Sequence, residues 1–207
     1  VGDTEDPARV RLFGPGMDGP LGTAISIFGD RVTIANLTVG NVRRHAIQVH
    51  AEKDADDFLA HNVRLVDSGE QLMKVSYRRG GPQADRGRVQ WSRFEFTAGH
   101  APRSYTGGLV ALGAKDWVIS DNVFHDIRVP PSDKRAHATA ILFRRATEGT
   151  VVRRNTLVNV GSGIRIGLQD GTHGTGWIYN NRVHAVRDVG ISLEQARGVT
   201  VAHNVVW

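Results

Sequence analysis

The chain has no cysteine, two methionines and only 7% aromatic residues in 207. Without cysteine there is neither a disulfide nor a thiolate-bound metal, so packing and hydrogen bonds alone must hold the fold. That lack is compatible with export. Few aromatics, and basic residues spread along the chain rather than gathered, argue against nucleic acid, which is usually gripped by a basic groove lined with stacking rings. No stretch reads as a signal peptide, a lipidation motif or a membrane span, and no window has the pattern of a capped amphipathic helix. What remains is a domain built of strands and corners.

The composition suits one. Hydrophobic residues make up 40% of the chain, enough to bury a core as a single domain, 1–207. Val and Ile dominate that set and glycine numbers 24, which favours strands joined by tight turns. The net charge is +5 and the isoelectric point near 10.1, so an anionic partner is expected. Acidic polysaccharide fits this balance better than nucleic acid.

The order of the chain is that of a repeat. In TVVRRNTLVNVGSGIRIG (150–167) three short β-type runs are joined by two corners, and they cannot bury their apolar sides without copies above and below. Copies exist: Asn62, Asn122, Asn155, Asn181 and Asn204 mark the same place, with Leu37 and Phe94 expected in that column in two further copies. The steps run from 23 to 33 residues, a period and composition that indicate a parallel solenoid. Asn suits a corner because it tolerates left-handed backbone, and stacked amides can hydrogen-bond along the axis.

Residues 1–23 are irregular, with a short strand around Val10–Phe13, and repeats fill 24–207. Each coil ends in a strand whose first and third residues point inward. The outward residues then form two columns on one face. One runs Gln48, Lys74, Val110, Leu142, Arg165, Ser192; the other runs His50, Ser76, Leu112, Arg144, Gly167, Glu194. At ~4.8 Å per coil, Arg165 is expected ~14 Å along the axis from Lys74. Of the long connections, Tyr77–Gly87 leaves this face, while Ala98–Gly107 and Arg128–His137 approach it. The chain opens at Val1 and stops at Trp207 in mid-coil, so a longer chain is expected, with the open end capped by further chain or a partner.

From Ala24 to Trp207 the coils resemble the right-handed parallel β-helix of the pectate-lyase-like superfamily. Gly69-Glu70-Gln71-Leu72-Met73-Lys74-Val75-Ser76 is similar to the Glu-then-Lys strand of the alginate lyase and chondroitinase B family. The resemblance implies about eight right-handed coils and a secreted, periplasmic or cell-surface protein acting on acidic polysaccharide by β-elimination.

That reaction removes the proton α to a uronate carboxylate, neutralises the carboxylate and protonates the leaving oxygen. A lysine crowded by cations has a lowered pKa and can be the base, and arginine binds a carboxylate in two-pronged fashion. Lys74 is the candidate base, with Arg144 and His50 as further catalytic candidates. Gln48, Glu70, Gln71, Arg165 and Glu194 are candidate substrate contacts. Each has a plainer reading: an exposed lysine, arginines laddering with Glu194, a surface histidine, Glu70 pairing with a cation. Ca²⁺ is a conceivable cofactor, and Glu52–Asp57 (EKDADD) a conceivable place for it, but a solvated acidic corner is the favoured reading. His61 and His203 share a column five coils apart, and Val158 separates His125 from His184, so no histidine metal site is expected. Hydrolysis, which needs paired carboxylates, is disfavoured because Glu194 is the one acid in the two columns. The Asp-Pro-His-Asp motif expected of alginate epimerases is absent. The competing reading is a non-catalytic glycan-binding or structural β-helix.

Overall fold

The computed structural model describes residues 1–133, 136, 138–168 and 173–207, and the chain forms a parallel β-solenoid of about seven turns. This is close to the eight coils expected. One wall is a seven-stranded sheet made of Thr23–Ile27, His45–His50, Gln71–Ser76, Gly107–Ala111, Thr139–Phe143, Ser162–Ile166 and Ile191–Leu193. A thirteen-stranded sheet forms the remaining walls. Near the start of the chain, Arg11–Phe13 pairs with Thr38–Gly40 and extends that sheet.

Alternation decides what is buried. Ile47, Val49, Met73, Val75, Leu109, Ala111, Ile141, Phe143, Ile164 and Ile166 all point into the solenoid and are buried. Behind them, in-register pairing stacks like on like: Leu65, Phe94, Phe124, Leu157 and Val183 form one interior column. The rings of Phe94 and Phe124 stack with centroids 4.5 Å apart.

The asparagine column exists, with a correction at two coils. Asn62 Nδ2 donates to Asn36 Oδ1, and the Val63 N–H to Ser92 Oγ. Asn36 and Ser92 therefore occupy the places expected for Leu37 and Phe94. Leu37 instead pairs with Val63, and Phe94 joins the interior column. From Ser92 upward each coil hands a hydrogen bond to the next, through Asn122, Asn155, Asn181 and Asn204. Left-handed backbone belongs to the marker residue only at Asn36 and Asn62 (φ 57° and 50°). In later coils it falls one residue earlier, on Trp91, Asp121, Arg154, Asn180 and His203. Those earlier residues take the corner, and the asparagine turns inward.

Candidate functional site

The outward face of the seven-stranded sheet carries the columns the alternation predicts. Ser26, Gln48, Lys74, Val110, Leu142, Arg165 and Ser192 lie one above another in strict register. In the neighbouring column His50 pairs with Ser76. Higher in that column Gly167 has φ +75°, and a Cβ there would lie 1.6 Å from the carbonyl oxygen of Glu194, so only glycine fits.

A cleft of about 380 Å³ opens on this face. Its floor is Lys74, Val110, Leu112 and Leu142, and Arg144, Arg145 and Arg165 supply its charge. The segment Ser104–Thr106 also lines it, so the connection Ala98–Gly107 does approach the face. Thr106 Oγ1 donates to the Glu70 carbonyl at 3.0 Å, and an Arg103 Nη2 bond to Asp18 Oδ1 of 2.7 Å ties the same connection to the N-terminal segment. Tyr77, at the start of Tyr77–Gly87, packs on Val110, Leu112 and Leu142. Of Arg128–His137, Lys134, Arg135 and His137 lie outside the described residues.

Lys74 is the chemically distinctive group. Its ammonium is pushed down to about 8, first by burial and then by the Arg144 guanidinium, with Arg145 and Arg44 adding to the effect and Glu70 opposing it. Desolvation disfavours the charged amine, and the neighbouring cations disfavour it further. At pH 7 roughly a tenth of such amines are neutral, against less than about one in a thousand for an ordinary lysine. Arg144 follows Phe143 at the strand end, and Arg145, with φ 57°, turns the chain so that both guanidinium groups reach the cleft.

Three of the other sequence candidates share the cleft with Lys74: Arg144, Arg165 and the buried Gln71. Gln71 Oε1 is buried with no hydrogen-bond partner among the described residues. Arg165 lies three coils above Lys74 in the register yet lines the same cleft. Its Nη2 donates to Glu194 Oε1, while its buried Nε has no partner among the described residues. Glu194 also accepts from Ser192 Oγ at 3.1 Å. Glu70 stands beside the cleft, 3.4 Å from Arg44 Nε and 3.7 Å from Nε2 of the buried His45. Burial holds the His45 imidazolium down to about 4.

His50 and Gln48 lie one coil below Lys74. Gln48 Oε1 accepts from Thr23 Oγ1 at 3.5 Å. The His50 ring stacks on Phe28 at 4.2 Å, and its Nδ1 is 2.7 Å from Glu52 Oε1. Ser76 Oγ donates to the other Glu52 oxygen at 2.8 Å. Elsewhere in the acidic corner Arg86 binds both Asp56 and Asp57. Among the described residues no three His, Asp or Glu side chains gather as a metal site.

Sequence reasoning missed Tyr105 and Arg145. Tyr105 is the one aromatic residue in a connection expected to approach the face, and Arg145 follows Arg144 directly, so both carried a weak signal. The lining holds four cations, and none of its described residues is Asp or Glu. Such a cleft can receive a carboxylate, deprotonate a carbon beside it and offer hydroxyl groups to a leaving oxygen. Among its described residues there are no paired acids of the kind hydrolysis requires.

No family model matches the chain, and no curated protein matches it. Among solved structures it is similar to the alginate lyase from Paenibacillus sp. str. FPU-7, with 14% identity and a TM-score of 0.50, covering 94% of this chain and 79% of that one. The likeness is one of fold. It agrees with the parallel β-helix read from the repeats.

Proposed function

We propose that this protein acts on acidic polysaccharide and cleaves it by β-elimination, with Lys74 as the base. The observation that carries this reading is a half-buried lysine with a pKa near 8 on the floor of a cleft lined by three arginines. In this reading a uronate carboxylate sits against Arg144 and Arg145, which neutralise it and acidify the neighbouring C–H. The neutral Lys74 amine takes that proton. The electron pair forms the ring double bond as the glycosidic C–O bond breaks, and the departing oxygen takes a proton from a hydroxyl of the wall, a role this reading gives to Tyr105, which lines the cleft. Arg165 binds a carboxylate further along the polymer. The fold likeness to an alginate lyase is compatible with this reading and supplies no residue of it.

Ultraviolet absorbance of the unsaturated uronate tests it on alginate, pectate and chondroitin, with and without Ca²⁺. Product from the parent protein and none from Lys74→Ala is the expected result. Binding without product on every polymer would instead make the protein a non-catalytic glycan-binding β-helix. Activity that survives in Lys74→Ala would move the base elsewhere.

A further inference from the structure

The cleft has an apolar middle. In the column Lys74, Val110, Leu142, Arg165 the two central positions are aliphatic, and Leu112 lies beside them in the next column. Val110, Leu112 and Leu142 form a cluster of their own outside the solenoid core, with Tyr77 packed against it. They remain 7%, 9% and 9% exposed and line the cleft, where Leu168 adds a fourth aliphatic side chain. An outward β-helix column that handles bare sugar would offer hydrogen-bonding side chains here. This one offers methyl groups, flanked by Lys74 on one side and Arg165 on the other.

That pattern discriminates between sugars. A hydroxyl laid on Val110 and Leu142 gives up its water and finds no partner, a net cost. Acetylating that hydroxyl removes the donor and supplies a methyl that gains from burial. The flanking cations fix the remaining character of the ligand as carboxylate-bearing. We infer that the cleft selects an acetylated uronate polymer, the acetyl methyl seated on Val110 and Leu142 between the two cationic ends. This inference rests on the polyuronate reading of the cleft and adds the substituent it recognises.

The test compares one O-acetylated alginate with the same sample after mild alkaline deacetylation, and chondroitin with its N-formyl analogue, which keeps the neutral amide and removes only the methyl. Calorimetric titration into Lys74→Arg protein, which keeps both cationic ends and removes the titratable amine, leaves the polymers intact. At least one acetylated member should bind about fourfold more tightly than its partner, the burial of one methyl expressed as a ratio. Preference in the alginate pair assigns an ester, and in the chondroitin pair an amide. Val110→Thr on the same background, nearly isosteric, should reduce the ratio to about one, with a cooperative thermal melt showing that the fold is retained. Equal or weaker binding of both acetylated forms, no binding at all, or a preference that Val110→Thr leaves intact would overturn the inference. Ultraviolet absorbance of the parent protein, read in parallel, separates it from the proposed reaction. Acetyl preference without product leaves the inference standing and removes the elimination; product without preference does the reverse.

Discussion

Asn155 Nδ2 donates to Asn181 Oδ1 at 3.0 Å, and the Asn155 backbone N–H donates to the same oxygen at 3.0 Å. One coil below, the N–H and side-chain amide of Asn122 do the same to Asn155 Oδ1. Each buried asparagine thus satisfies two donors of its neighbour. Asn155→Ala should cost about 3 kcal/mol, because it strands the buried Asn122 N–H and removes the bonds its side chain makes to the Asn122 amide, the Asn181 amide and the Ile119 carbonyl. Asn204→Ala, in the last coil and half-buried, should cost markedly less. Urea unfolding of the two variants checks the difference.

Lys74 should reveal itself through pH. Because the neutral amine is the proposed base, the rate should rise as pH increases towards 8 and level off above it. Lys74→Ala should lose on the order of 10²–10⁴-fold in kcat. It should not lower Tm at pH 7, since a desolvated ammonium disfavours the folded state there. A fall in Tm of several degrees with unchanged kcat would show a structural lysine.

His45 and His173 predict acid sensitivity. Burial holds both to about 4 in the folded chain, against about 6.5 unfolded. Between these values the unfolded state binds the proton and the folded state does not, so stability falls as pH drops from 6.5 to 4 and stops falling from this cause below 4. Each group contributes on the order of 3 kcal/mol across that window. Denaturant titrations at pH 7, 5.5 and 4 should show the slope, and His173→Gln should flatten part of it.

Glu194 competes for Arg165. Its carboxylate accepts from Arg165 Nη2, so Glu194→Gln should release positive charge at the upper end of the cleft. Binding of an acidic polymer should tighten by about threefold, with a steeper dependence on salt. If the pair serves only to ladder two coils, affinity would stay constant and only a small stability change, under ~1 kcal/mol, would appear.

Much of this architecture was legible because a strand has an exact period of two. That period placed Gln48, Lys74, Val110, Leu142 and Arg165 in one column from sequence, and the registers agree. It failed by one residue at Leu37 and by two at Phe94, where Asn36 and Ser92 hold the place. In Thr33–Val42 and Leu59–Ser68 the asparagine itself takes the left-handed turn inside an unbroken strand, whereas later coils bend before it. Apolar spacing alone does not distinguish those two corners. The cleft wall was less legible still. Tyr105 belongs to a connection with no repeat to align it, and its position depends on the contacts of Thr106 with Glu70 and of Arg103 with Asp18, which join residues distant in sequence.

The amides from Asn122 to Asn204 all face the same way, oxygen towards the first coil and nitrogen towards the last. Their dipoles therefore add along the axis, as peptide dipoles do in a helix, with the positive pole at the Asn204 end. Each amide polarises the next, so a bond in the middle of the run is stronger than the same bond in an isolated pair. The solenoid is for this reason more than a stack of equal layers: removing a coil from the upper end weakens the coils that remain.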